Sequence, residues 1–137
     1  MFYIPEDDFS QFDDLEDRLF VVADACQPDM PIVYASPEFF ALTGYPQTEV
    51  LGHNCRFLQG PETSPETRDA LRQAIRQGRM ITADILNYRR DGSSFWNRLR
   101  MKPLLNDDGD LMYVFGIQNV IAAEEVRSEP IFDNIVD

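Results

Sequence analysis

Apolar residues along this chain come in short bursts, and the spacing inside each burst predicts the element it builds. Leu19 to Ala23 and Ile32 to Ala35 are brief apolar runs separated by the turn-rich stretch Gln27-Pro28-Asp29-Met30-Pro31, which predicts two strands joined by a hairpin or a wide loop. Residues 36 to 63 lose any regular period. Gly44, Pro46, Gly52, Gly60 and Pro61 punctuate them and Ser36-Pro37 offers a helix start, so short helical pieces are expected there. Ser64-Pro65 repeats the start signal, Leu71, Ala74 and Ile75 form one stripe, and Gly78 supplies a stop, which predicts a helix over 65–77. Three stretches of strand character follow, at 80–88, 94–103 and 111–119. Arg90-Asp91-Gly92 and Asn106-Asp107-Asp108-Gly109 join them as hairpin turns.

Strand, strand, short helices, helix and three hairpin-linked strands describe an α+β domain over residues 18–120: a five-stranded antiparallel sheet with helices on one face, shaped to cup a small molecule. The flanks differ from this core. Phe9, Phe12, Leu15 and Leu19 recur at helical spacing among acids, predicting an amphipathic helix in the segment 1–17. Ile131, Phe132, Ile135 and Val136 predict a second short helix within 121–137.

Charge sharpens the same division. The formal charge of −12 lies at the ends: seven acids and no base in residues 1–17, five acids against Arg127 alone from residue 124 onward. The core is close to neutral. An acidic chain without a basic patch is a poor ligand for nucleic acid or an anionic membrane surface. Two cysteines and one histidine cannot make a four-ligand zinc site, and they give little reason to expect a disulfide. With no apolar run of membrane-spanning length and no signal-like start, a reduced, cytoplasmic setting is expected.

Strand parity brings candidate chemistry into view. Alternation over 94–103 puts Phe95, Asn97, Leu99 and Met101 on one face and Trp96, Arg98, Arg100 and Lys102 on the other. The same rule groups Ile85 with Asn87, and Met112, Val114 and Gly116 with Gln118. Three carboxamides thus fall among core positions. A buried amide without partners costs about 1–3 kcal/mol, so the three fit either a planar ligand with polar edges or backbone bonding at a sheet edge. Cys55 lies in a polar stretch, and a cysteine is by default a small packed apolar residue. Arg56 and Arg72 suit two oxygens of a phosphate, although Arg68, Arg72 and Arg76 also have the spacing of a solvated helix face.

The stretch Gly52-x-Asn54-Cys55-Arg56-Phe57-Leu58-Gln59-Gly60 resembles the signature of the LOV (light, oxygen, voltage) branch of the PAS family. The resemblance extends through Ser36, Phe39, Thr43, Gly60-Pro61-Glu62-Thr63, Leu86-Asn87-Tyr88, Asp91-Gly92, Phe95-Trp96-Asn97 and Gly116-x-Gln118, covering about residues 19–120. It implies a PAS fold holding flavin mononucleotide (FMN). By that resemblance Cys55 is the photoreactive thiol, Arg56 and Arg72 hold the phosphate, and Asn54 and Gln59 bind the ribityl chain and flavin. Asn87 and Asn97 bond the polar edge of the ring, and Gln118 faces its N5. Phe39, Leu58, Ile85, Leu99 and Met101 pack against it.

The implied function is blue-light sensing without an attached catalytic effector. A thiol near its ordinary pKa is protonated and inert in the dark. Under light the flavin takes its proton at N5 and its sulfur at C4a, and the bond reverts thermally. Gln118 then exchanges one hydrogen-bonding role for another and the sheet passes the change outward, to flanking helices or a homodimer interface over Leu86, Tyr88, Trp96, Tyr113, Phe115 and Ile117. Ala23, Met30 and Leu99 depart from the commonest family pattern, and Cys26 has no family counterpart. A cysteine-nucleophile enzyme finds little support: its base would have to be His53, two residues away. A flavin-binding redox or ligand sensor in which Cys55 is merely packed is the alternative.

Overall fold

A computed structural model describes residues 19–133. The first two strands, β1 (Phe20–Asp24) and β2 (Ile32–Ala35), pair antiparallel as their apolar runs predict. Two short helices follow, α1 (Pro37–Thr43) and α2 (Gln47–Val50), then a 3-10 turn over Cys55–Leu58. Ser36 does not cap α1 with its side chain; its hydroxyl instead accepts from the Phe20 N–H at 3.0 Å, tying the helix entry to β1. Ser64 does cap the long helix α3 (Pro65–Gln77), accepting from Thr67 N–H, and Gly78 closes it at φ 64°, a left-handed value glycine adopts without strain.

The remaining strands are β3 (Met80–Tyr88), β4 (Ser94–Leu105), β5 (Leu111–Ile117), β6 (Val120–Ile121) and β7 (Ile131–Asp133). The sheet order is β2-β1-β5-β4-β3-β7, with β6 pairing β4. Seven strands therefore stand where five were expected. Chain β5 breaks at Gln118-Asn119 and resumes along β4 as β6, with Asn97 opposite Val120 and Trp96 opposite Ile121. The predicted C-terminal helix is also corrected. Residues 123–125 form a 3-10 turn, and Ile131–Asp133 pair with Met80–Thr82 as an added edge strand. An available backbone edge on β3 outweighs the helical spacing of four apolar residues, two of which (Ile135 and Val136) lie outside the described residues. So does the predicted N-terminal helix.

The core divides by face. On the helical side, Leu71 and Ala74 of α3 pack with Ile81, Ala83, Ile85, Met101 and Val114, and Phe39, Val50 and Leu58 pack with Val21 and Ile32. Between these clusters the layers do not close, and a cavity remains. On the outer side Phe20, Val22, Leu104 and Phe115 form a third cluster, with Phe20 and Phe115 rings 5.0 Å apart. Among the described residues no helix is long and apolar enough to cross a membrane.

Candidate functional site

The cavity encloses about 280 Å³ beneath the sheet, near the lower end of small-molecule sites, which run from about 300 to 1,000 Å³. Its floor is the sheet, contributing Ile85, Asn87, Leu99, Met101, Gly116 and Gln118. Its roof is the 3-10 turn and α3, contributing Cys55, Leu58, Gln59 and Arg72. Phe39, Asn54 and Arg56 complete the wall. Of the thirteen residues that the resemblance assigns to the flavin site, only Asn97 does not reach the cavity surface.

Asn97 has a different place. It is 1% exposed, and its amide nitrogen donates to Asn87 Oδ1 at 3.0 Å and to Gln118 Oε1, so it bridges the two carboxamides that do line the cavity. Its own Oδ1 accepts from the Asn119 N–H at 3.2 Å. Gln118 Nε2 donates to Gly116 O at 3.3 Å, and Asn87 Nδ2 to Leu86 O at 3.3 Å. The three amides form one row in which each can exchange donor for acceptor by turning over. Gly116 keeps this wall low: a Cβ there would sit 3.4 Å from Val21 and 3.5 Å from the Gln118 amide, within the cavity's lining.

Cys55 opens the 3-10 turn. Asn54 caps it, its Oδ1 accepting from the Arg56 N–H at 2.9 Å while its Nδ2 donates to Asp29 O at 2.7 Å. Asp29 and Met30 make that contact from the left-handed region, at φ 67° and 47°; an aspartate tolerates this better than a methionine. Gly60 then lies flat on the Tyr88 ring, where a Cβ would come within 2.3 Å of ring carbon. Thr63 donates its hydroxyl to Leu86 O at 2.7 Å, so the loop carrying the thiol is stitched to β3. Cys55 has exposed surface yet protein atoms surround it, which is what a residue facing an internal cavity shows. Burial pushes its thiol above the ordinary 9.0, against the backbone hydrogen bond and the Arg56 charge that lower it. The thiol is therefore protonated at neutral pH.

Arg56, Arg68 and Arg72 also line the cavity, Arg56 paired with Asp29 and Arg72 with Asp69 at 2.8 Å, and the Arg56 and Arg72 side chains are largely exposed. The donor set suits a flat ring with a polar edge over the amide row and an anionic tail at the arginines, and the residues present fit a flavin nucleotide. Residues 18–120 match the PAS domain family. This chain belongs to it, as a LOV domain. It is 53% identical over 98 residues to a blue-light-activated histidine kinase of Rhizobium johnstonii, a match covering 72% of this chain and 28% of that protein. It is 48% identical over 101 residues to phototropin-2 of Oryza sativa subsp. japonica, covering 74% and 11%. A solved light-oxygen-voltage domain, studied with a flavin analogue, superposes with a TM-score of 0.81 at 43% identity, covering 86% of this chain and 89% of that one. The LOV domain thus spans under a third of the length of either curated relative, and the first of them is blue-light-activated by name.

Sequence reasoning missed Asp84. Its side chain has no exposed surface, although it points to the outer face, and it forms a two-pronged pair with Arg98 at 2.8 and 3.0 Å. The Arg127 N–H donates to it at 2.7 Å. The signal was available: centring the hairpin on Asp91 places Asp84 directly across from Arg98.

Proposed function

We propose that this LOV domain is a blue-light sensor that holds FMN and uses Cys55 as a reversible covalent trigger. The observation carrying the reading is a cysteine thiol and a row of exchangeable amides on the walls of one cavity. Bound FMN supplies a blue-absorbing ring that becomes, on excitation, a proton acceptor and an electrophile. Arg56 and Arg72 hold the phosphate, and Asn54 and Gln59 fix the ribityl chain. Ile85, Leu58, Leu99, Met101 and Phe39 exclude water from the ring. Cys55 gives its proton and its sulfur to the ring under light and recovers both in the dark, so no atom is consumed. Gln118 then faces a donor where it faced an acceptor and turns its amide over; Asn97, which donates to it, must re-aim.

Purified protein should be yellow, bleach in blue light and recover in the dark. Cys55→Ala should keep the colour and lose the bleaching completely. A Cys55→Ala protein that still bleaches and recovers leaves the flavin in place but removes the thiol from the mechanism, favouring a redox or ligand sensor.

We infer further that the domain self-associates through the outer face of the sheet, where Leu86, Trp96, Tyr113 and Ile117 are only half-buried, with the terminal segments contributing. Sedimentation of dark and lit samples reads this directly. A monomer in both states excludes it.

A further inference from the structure

We propose that Asp84 is a buried fastener that holds the C-terminal segment 119–133 across the outer face and ties it, through Arg98 and Asn119, to the amide row. This deepens the sensor reading above and rests on it for the response to light, but the fastening itself does not.

The segment is weakly held by its strands. β6 has two residues and β7 three, and Val120 and Ile131 are 45% and 43% exposed. To pass from β6 beside β4 to β7 beside β3, the chain must cross the outer face, and it crosses at Asp84 and Arg98. There Arg98 donates to the Glu125 carbonyl at 2.9 Å, and the Asp84 carboxylate receives the Arg127 N–H at 2.7 Å with the Arg127 side chain at 3.7 Å. Farther on, Phe132 lies under the Arg79 guanidinium, 4.7 Å from ring centre to Cζ. A carboxylate with no exposed surface must keep its partners, since leaving a buried charge unpaired is far costlier than losing a surface contact. The segment is therefore seated by one ion cluster more than by its few ladder bonds.

The same cluster touches the cavity side within one residue. Asn97 and Arg98 are neighbours on β4 facing opposite ways, and Asn119 bonds both: its N–H to the Asn97 side chain at 3.2 Å, its carbonyl from the Arg98 N–H at 2.7 Å. If Asn97 re-aims to follow Gln118, the N–H at the root of the segment loses its acceptor. A rearrangement of neutral amides beneath the sheet is delivered to the place where the segment is anchored above it.

Hydrogen exchange on the full chain, flavin-loaded and in the dark, tests the fastening. Asp84→Asn keeps the shape and removes the charge. It should raise exchange across 119–133 at least tenfold and leave 81–87 and 95–101 protected. Illumination should raise exchange over 119–133 several-fold in the unmodified protein and add nothing further in Asp84→Asn. Arg98→Gln, whose amide can take the place of the Nε donor to Asp84 but is too short to reach the Glu125 carbonyl, serves if Asp84→Asn does not fold, with the same expected rise. Unchanged protection of 119–133 in the dark variant overturns the proposal, as does an equal light response in both proteins. If the unmodified protein does not respond to light at all, the sensor reading fails, while the dark comparison still decides the fastening.

Discussion

The two faces of strands β3 and β4 carry opposite kinds of polar chemistry. Toward the cavity, Asn87 and Asn97 bond through neutral amides; toward the outside, Asp84 and Arg98 bond through fixed charges. A carboxamide reverses its donor and acceptor ends by turning over, so its bonds can be rewritten without creating a charge. An ion pair has no such alternative state. The cavity face is thus built to change and the outer face to hold, although the residues alternate along the same two strands.

Substitutions can break this contrast, beginning with the largest expected effect. Asp84→Ala leaves Arg98 without its carboxylate and should lower stability by about 3–5 kcal/mol, read as a fall in denaturation midpoint. Asn97→Ala removes the donor shared by Asn87 and Gln118 and should cost about 1–3 kcal/mol in the same assay. A larger loss from Asn97→Ala than from Asp84→Ala would invert the assignment of which face holds. Exposed pairs give the baseline: Glu49→Gln, which removes the Arg90 partner at 2.9 Å, should change stability by under about 1 kcal/mol.

Acid provides a subtler probe. Burial alone would raise the Asp84 pKa, but hydrogen bonds from Arg98 and the Arg127 N–H, with both positive charges, outweigh it and hold the carboxyl below its ordinary 3.8. Its stabilising contribution is then complete above that ordinary value and lost as pH falls through the lower folded value. Asp84→Asn should lack this acid-dependent part, so the two stability profiles should converge at low pH and stand fully apart by about pH 4. Parallel profiles would show that the carboxylate charge is not what fastens the face.

Much of this arrangement was legible in advance. Periodicity located the helix 65–77 to the residue, and parity put Asn87, Asn97 and Gln118 on one face before any ligand was considered. Parity could not show that Asn97 sits behind the other two, because it reports a face and not a depth. The C-terminal segment was misread for a related reason. Whether Ile131 and Phe132 build a helix or a strand depends on an open edge of β3, fifty residues earlier, which local spacing does not encode.

The break at Gln118-Asn119 has a consequence for anyone lengthening or grafting this chain. Side chains alternate with a period of two, so inserting one residue between Gly116 and Gln118 would send Gln118 outward and uncouple Asn119 from Asn97. The stretch from Ser128 to Pro130, past the Arg127 bond to Asp84, makes no sheet pairs and can accept added length. Tolerance to insertion should therefore switch on abruptly within a dozen residues, at the point where the chain has passed its last bond to Asp84.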